Sequence, residues 1–110
     1  RLSQAARTAI ADGDNEVYIS AVVAWELATK VRIGKWADAR ELAENFDVAI
    51  GRNNFQPLAI STIHARTAGF LSGRHRDPFD RMLAAQSRIE DMPLVTADPV
   101  FKAFGTKVIW

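Results

Sequence analysis

The chain has 110 residues, 48% of them hydrophobic and 25% charged, which is enough for one shared core and too little for two independent ones. Fourteen Lys and Arg against thirteen Asp and Glu leave a net charge of +1, which excludes a uniformly basic nucleic-acid coat while leaving room for local patches. The absence of cysteine excludes disulfides, thiolate zinc sites and a cysteine nucleophile and fits a reducing cytoplasm. No run reaches the roughly 18 uncharged apolar residues of a membrane span.

In chain order, RLSQAARTAIAD places Leu2, Ala5, Ala6, Ala9 and Ile10 at helical spacing, with Ser3 near its start and DGDN as the closing turn. A strand follows at 16–20, and Ser20 caps a helix that ends near Gly34. DARELAENFDVAIGR, residues 38–52, sets Leu42, Phe46, Ala49 and Ile50 on one stripe and predicts a third helix with a weakness at Gly51. PLAI is a short apolar strand, and STIHARTAGFL is a helix with Ile63, Ala65, Ala68 and Leu71 inward. HRDPFDRMLAAQS opens a helix over 78–90; MPLVTAD then gives a strand, DPVFKAF a short helical turn and TKVIW a closing strand. Short apolar strands alternating with helices predict a mostly parallel central sheet covered by helices on both faces, a three-layer α/β/α fold in one domain over 1–110.

In such a sheet, sites form at the carboxyl ends of the strands, where helix N-termini also point. Three acids fall there: Glu26, two turns into the helix after the first strand; Asp80, in the first turn of the helix at 78; and Asp98, after the strand PLVTA. Converging carboxylates would form an all-oxygen site hard enough for Mg²⁺ or Mn²⁺.

Each acid also has a local reading. Glu26 has Lys30 at i,i+4, although it follows Val22, Val23, Ala24 and Trp25 near the apolar side of its helix, where a charge needs a partner or a metal. Asp77, followed by Pro78, is a helix cap. Asp80 then stands open between opposing the helix dipole and binding a ligand. Asp98 before Pro99 repeats the cap grammar, and Thr96 offers a hydroxyl to the same place.

His64 and His75 have no i,i+4 histidine partner and no HExxH frame, so a histidine metal site is not expected. His64 reads as a surface or satisfied core histidine, and His75 as a loop residue or a helper in phosphate binding. Trp25, Trp36 and Trp110 read as core or dimer-surface aromatics. No GxGxxG, GxxxxGK[ST] or GxSxG motif is present, which removes dinucleotide, P-loop and serine-hydrolase chemistry. No DxD or DD pair marks an acid phosphotransfer site.

Taken in order and spacing, EVYISAVVAWELATK with Glu26, HRDPFDRMLAAQS with Asp80 and PLVTADPVF with Asp98 resemble the PIN-domain ribonucleases, specifically the VapC toxins of bacterial toxin-antitoxin pairs. The resemblance spans essentially the whole chain. It implies a PIN-like α/β/α fold and a Mg²⁺- or Mn²⁺-dependent endoribonuclease hydrolysing RNA phosphodiester bonds. Glu26, Asp80 and Asp98 match the family's second, third and fourth acids, as metal ligands and catalytic residues. Thr96 matches a frequent site-lining hydroxyl, and Asp77 stands behind the ligands. Arg76 and Arg81 flank the acids as candidate contacts to RNA phosphate.

A cognate VapB-like antitoxin, a homodimer and a cytoplasmic location are further implications, with no membrane role. The alternative is a catalytically silent PIN-like module that binds RNA or an antitoxin. The chain departs from the family at its start, where a central strand ending in the first aspartate is expected. RLSQAARTAI resembles the helix after that strand, so the native polypeptide is expected to carry the strand upstream of Arg1.

Overall fold

The computed structural model describes residues 2–110, and the chain divides into two compact units: Glu16–Ala59, and the residues up to Asn15 together with Ile60–Trp110. In the first, strand β1 (Tyr18–Ser20) pairs in parallel with β2 (Gln56–Leu58), with Ile19 opposite Pro57. Pro57 has no amide hydrogen to donate, which suits a short strand with a single neighbour. Ser20 ends β1 and turns the chain into α2 (Ala21–Arg32), its hydroxyl accepting the Val22 N–H at 3.0 Å; the segment before it holds α1, described below. Val22, Leu27 and Val31 form the buried stripe of α2. The helix yields at Gly34, whose φ of 84° belongs to the left-handed region that glycine enters without steric strain.

The single helix expected over 38–52 is instead a 3₁₀ turn at Ala37–Ala39, α3 (Arg40–Glu44) and α4 (Phe46–Arg52). The break falls at Asn45, not at Gly51, which stays inside α4. Asn45 has a non-helical backbone, and its side-chain amide donates to the Glu41 carbonyl at 3.0 Å. Short amide side chains compete with the helix for backbone groups in this way. Trp25 and Trp36 are 54% and 45% exposed, which corrects the core reading of these two rings. The Lys30 ammonium lies 4.7 Å from the Trp36 ring centroid.

In the other unit, α1 (Gln4–Ala11) is capped by Ser3, whose hydroxyl accepts the Ala6 N–H at 3.1 Å. α5 (Thr62–Phe70) packs on α6 (Pro78–Glu90), and β3 (Leu94–Val95) pairs in parallel with β4 (Val108–Ile109) across the short helix α7 (Val100–Ala103). The α/β class with parallel pairing holds, with the strands forming two two-stranded ladders. Ala68, Leu71, Ala84, Ala85, Phe101 and Phe104 form this unit's buried cluster. Trp110 is 42% exposed and is likewise no core residue.

On the inward face of α5, two of the four expected residues, Ile63 and Ala65, are exposed. Ala68 and Leu71 are buried, but Ile63 is 48% exposed and His64 takes the inner position at 3%. The cause is polar. His64 Nδ1 accepts the Ser61 N–H at 3.0 Å while the Ser61 hydroxyl accepts the His64 N–H, a reciprocal capping box. With Nδ1 accepting, the ring proton sits on Nε2 and is donated to Glu90 Oε2 at 2.8 Å. His64 is thus the satisfied core histidine of the two readings.

Candidate metal centre at the start of α6

The chain leaves α5 at Leu71, turns through Gly73 at φ 108°, and enters α6 at Asp77. Asp77 Oδ1 accepts the N–H groups of Phe79 at 2.9 Å and Asp80 at 3.3 Å, and Pro78 takes the first helical position, where no amide hydrogen is required. The capping reading of Asp77 therefore holds. Because the cap reverses the chain, the residue two places before it meets the residue three places after it. His75 Nε2 lies 2.7 Å from Asp80 Oδ2, with both side chains partly buried.

His75, Asp77 and Asp80 each offer a ligand atom, and these atoms lie within 4.8 Å of one another. Among the described residues this is the group with spacing suited to one ion. The donor chemistry fits a hard divalent cation: the carboxylates are oxygen donors, and water can complete a shell of six. In the bond to Asp80, His75 Nε2 carries the proton, so the ring orients the carboxylate instead of ligating. The edge of the His75 ring meets Phe104, with centroids 5.8 Å apart and planes at 66°.

Arg81, expected beside the acids as a phosphate contact, is bonded to three backbone carbonyls. Its Nε donates to the Ala68 carbonyl at 3.1 Å, Nη1 to that of His75 at 2.9 Å, and Nη2 to that of Leu71. Arg76 is exposed on the loop and, with Arg74, His75, Arg81, Gly69 and Gly73, lines an open pocket of about 600 Å³.

The other two acids have local partners of their own. Asp98 is exposed beyond β3; its Oδ1 accepts the Val100 N–H at 3.0 Å, and its own N–H donates to the Thr96 hydroxyl at 3.1 Å. Glu26 belongs to the other unit, where its Oε2 lies 3.4 Å from the Lys30 ammonium, both side chains being 23% exposed. His75 is the residue that motif reading missed. Searching for i,i+4 metal pairs overlooks a pair separated by a cap, and the signal was the Asp77-Pro78 cap itself.

The family model described as PIN domain matches residues 1–107. Comparison with curated proteins and with solved structures gives no match.

Proposed function

We propose, from the premise that this chain belongs to the PIN-domain family, that it is a Mg²⁺- or Mn²⁺-dependent endoribonuclease, the toxin of a toxin-antitoxin pair. PIN domains are typically nucleases that bind divalent metal ions. The observation that carries the reading to this chain is the Asp80 carboxylate in the first turn of α6, held by His75 and adjoining Asp77. Glu26, Asp80 and Asp98 are the proposed metal ligands and catalytic residues, with Asp77 and Thr96 supporting them.

A bound divalent ion supplies Lewis-acid activation of water and neutralises charge at the phosphate. The residues of the chain do the remaining work. Asp80 presents its oxygens in an orientation fixed by the His75 N–H, and Asp77 keeps the first turn of α6 in place by holding its amides. Arg76, exposed on the same loop, meets an incoming RNA phosphate. Trp25, Ile33, Trp36, Leu42 and Val48 leave apolar surface in the unit Glu16–Ala59, which supports a protein partner, an antitoxin or a second copy. No helix among the described residues is long and apolar enough to cross a membrane. The cysteine-free composition supports a reducing cytoplasm as the place of action.

One observation favours a silent RNA- or antitoxin-binding module: Glu26 already has Lys30 as its charge partner. Titrating Mn²⁺ into the protein and then assaying RNA cleavage, for the unaltered chain and for Asp80→Asn, separates the two. Metal-dependent cleavage lost in D80N supports the nuclease; no cleavage at any metal concentration supports the module.

A further inference from the structure

The last four carbonyls of an α-helix have no partner within the helix, and its C-terminal end attracts cations. At the end of α5 that need is met from another element. Arg81, in the second turn of α6, donates to the Ala68 carbonyl inside the last turn of α5 and to the Leu71 carbonyl just past it. Its third bond goes to the carbonyl of His75, the residue whose ring holds Asp80. The guanidinium carbon also lies 5.8 Å from the centroid of Phe104, the ring that His75 meets edge-on. One planar fork thus ties the end of α5, the loop over 71–77 and the body of α6. A lysine ammonium is a point donor and cannot span those acceptors.

We propose that Arg81 is the positioning residue of this site: it fixes the 71–77 loop so that His75 meets Asp80, and it does not serve as a phosphate contact. The placement of the loop stands on the hydrogen bonds alone; only its use in metal binding rests on the nuclease reading above.

The test compares the unaltered protein with Arg81→Lys, which keeps the charge and loses the fork. In the unaltered protein without RNA, the Arg81 Nε–H exchanges slowly with solvent by NMR, and it does not move when polyuridylate is added. In R81K, the amide of Leu71, bonded to the Thr67 carbonyl at the end of α5, and those of Phe79 and Asp80, held by Asp77, lose about tenfold or more of their exchange protection. The ¹⁵N signature of the His75 ring departs from that of a carboxylate-bonded imidazole while that of His64 stays, an effect that general loosening would not confine to one histidine. In Arg81→Gln, which removes the charge, the salt slope of polyuridylate binding is unchanged.

The proposal is overturned if R81K keeps the His75 signature and the amide protection, or if the salt slope of Arg81→Gln falls by the roughly 0.7 expected for one lost phosphate on a single strand. Should R81K fail to fold, the Nε–H of the unaltered protein decides: fast exchange with a shift on adding polyuridylate overturns the proposal, and slow exchange without a shift upholds it. None of these readouts uses metal or cleavage, so a chain without nuclease activity leaves this result standing, and failure of the clamp leaves the D80N assay standing.

Discussion

His75 and Asp80 are five residues apart and joined at 2.7 Å across a helix cap, so the histidine reaches its carboxylate only while Asp77 holds the turn between them. Removing the His75 ring should leave the fold intact, because the residue lies on a loop outside the buried cluster. Partners that orient a ligating carboxylate are typically worth about 10- to 100-fold in metal affinity or activity. His75→Ala is therefore expected to weaken Mn²⁺ binding and RNA cleavage by that range with little change in thermal unfolding, read by calorimetric Mn²⁺ titration beside a melting curve.

Asp80→Asn preserves shape and removes the charge. Its expected effect is a loss of Mn²⁺ affinity of at least about tenfold and a larger loss of cleavage, since an amide is a poor ligand for a hard cation. The melting temperature should stay close to that of the unaltered chain, because the cap belongs to Asp77.

Asp77 answers a different question. Asp77→Ala strips the cap from α6 and should cost about 0.5 to 2 kcal/mol of stability, whereas Asp77→Ser keeps an acceptor and should recover most of it. Urea unfolding of the two variants checks the difference. Equal stability of D77A and the unaltered chain would refute the capping role.

Glu26 separates its two readings by comparison with its neighbour. As a pair alone, Glu26 and Lys30 contribute only about 0.3 to 0.5 kcal/mol, and Glu26→Gln and Lys30→Ala should then both retain cleavage. As a ligand, Glu26→Gln is expected to abolish metal-dependent cleavage while Lys30→Ala retains it. Cleavage assays on the two single variants measure this directly.

His64→Ala opens a cavity and leaves the Ser61 N–H without its ring acceptor. A destabilisation of about 2 to 4 kcal/mol is expected, with metal affinity per folded molecule unchanged. Chemical denaturation and Mn²⁺ titration on one sample test both halves of that statement.

Signals confined to a few neighbouring residues were the ones legible in the sequence. Ser20 ahead of α2, Ser3 ahead of α1 and Asp77-Pro78 ahead of α6 are caps whose chemistry lies within three residues, and α6 runs over 78–90 as its spacing implied. The Glu26–Lys30 pair is equally local. Two features not legible in the sequence depend on partners supplied from another helix. Arg81 reads as a candidate phosphate contact because its acceptors, the carbonyls of Ala68 and Leu71, lie at the end of another helix. Ile63 looked like an inward residue because the polar partners that draw His64 inward, Glu90 and Gln86, lie a helix away. The helix breaks at Asn45 and not at Gly51 because the Asn45 side chain bonds back to the Glu41 carbonyl, which intrinsic propensity, weighted against glycine, does not contain.

Ala84 and Ala85 are fully buried and share the interior cluster with Ala68 of α5. Small side chains there let α5 and α6 approach closely, and that approach sets how far the Arg81 fork must reach to the end of α5. A larger residue at Ala84 would act like a shim under a caliper: the helices part, the fork loses its grip, and His75 drifts from Asp80 although no group at the site has been altered. The gauge for the site is the width of an alanine.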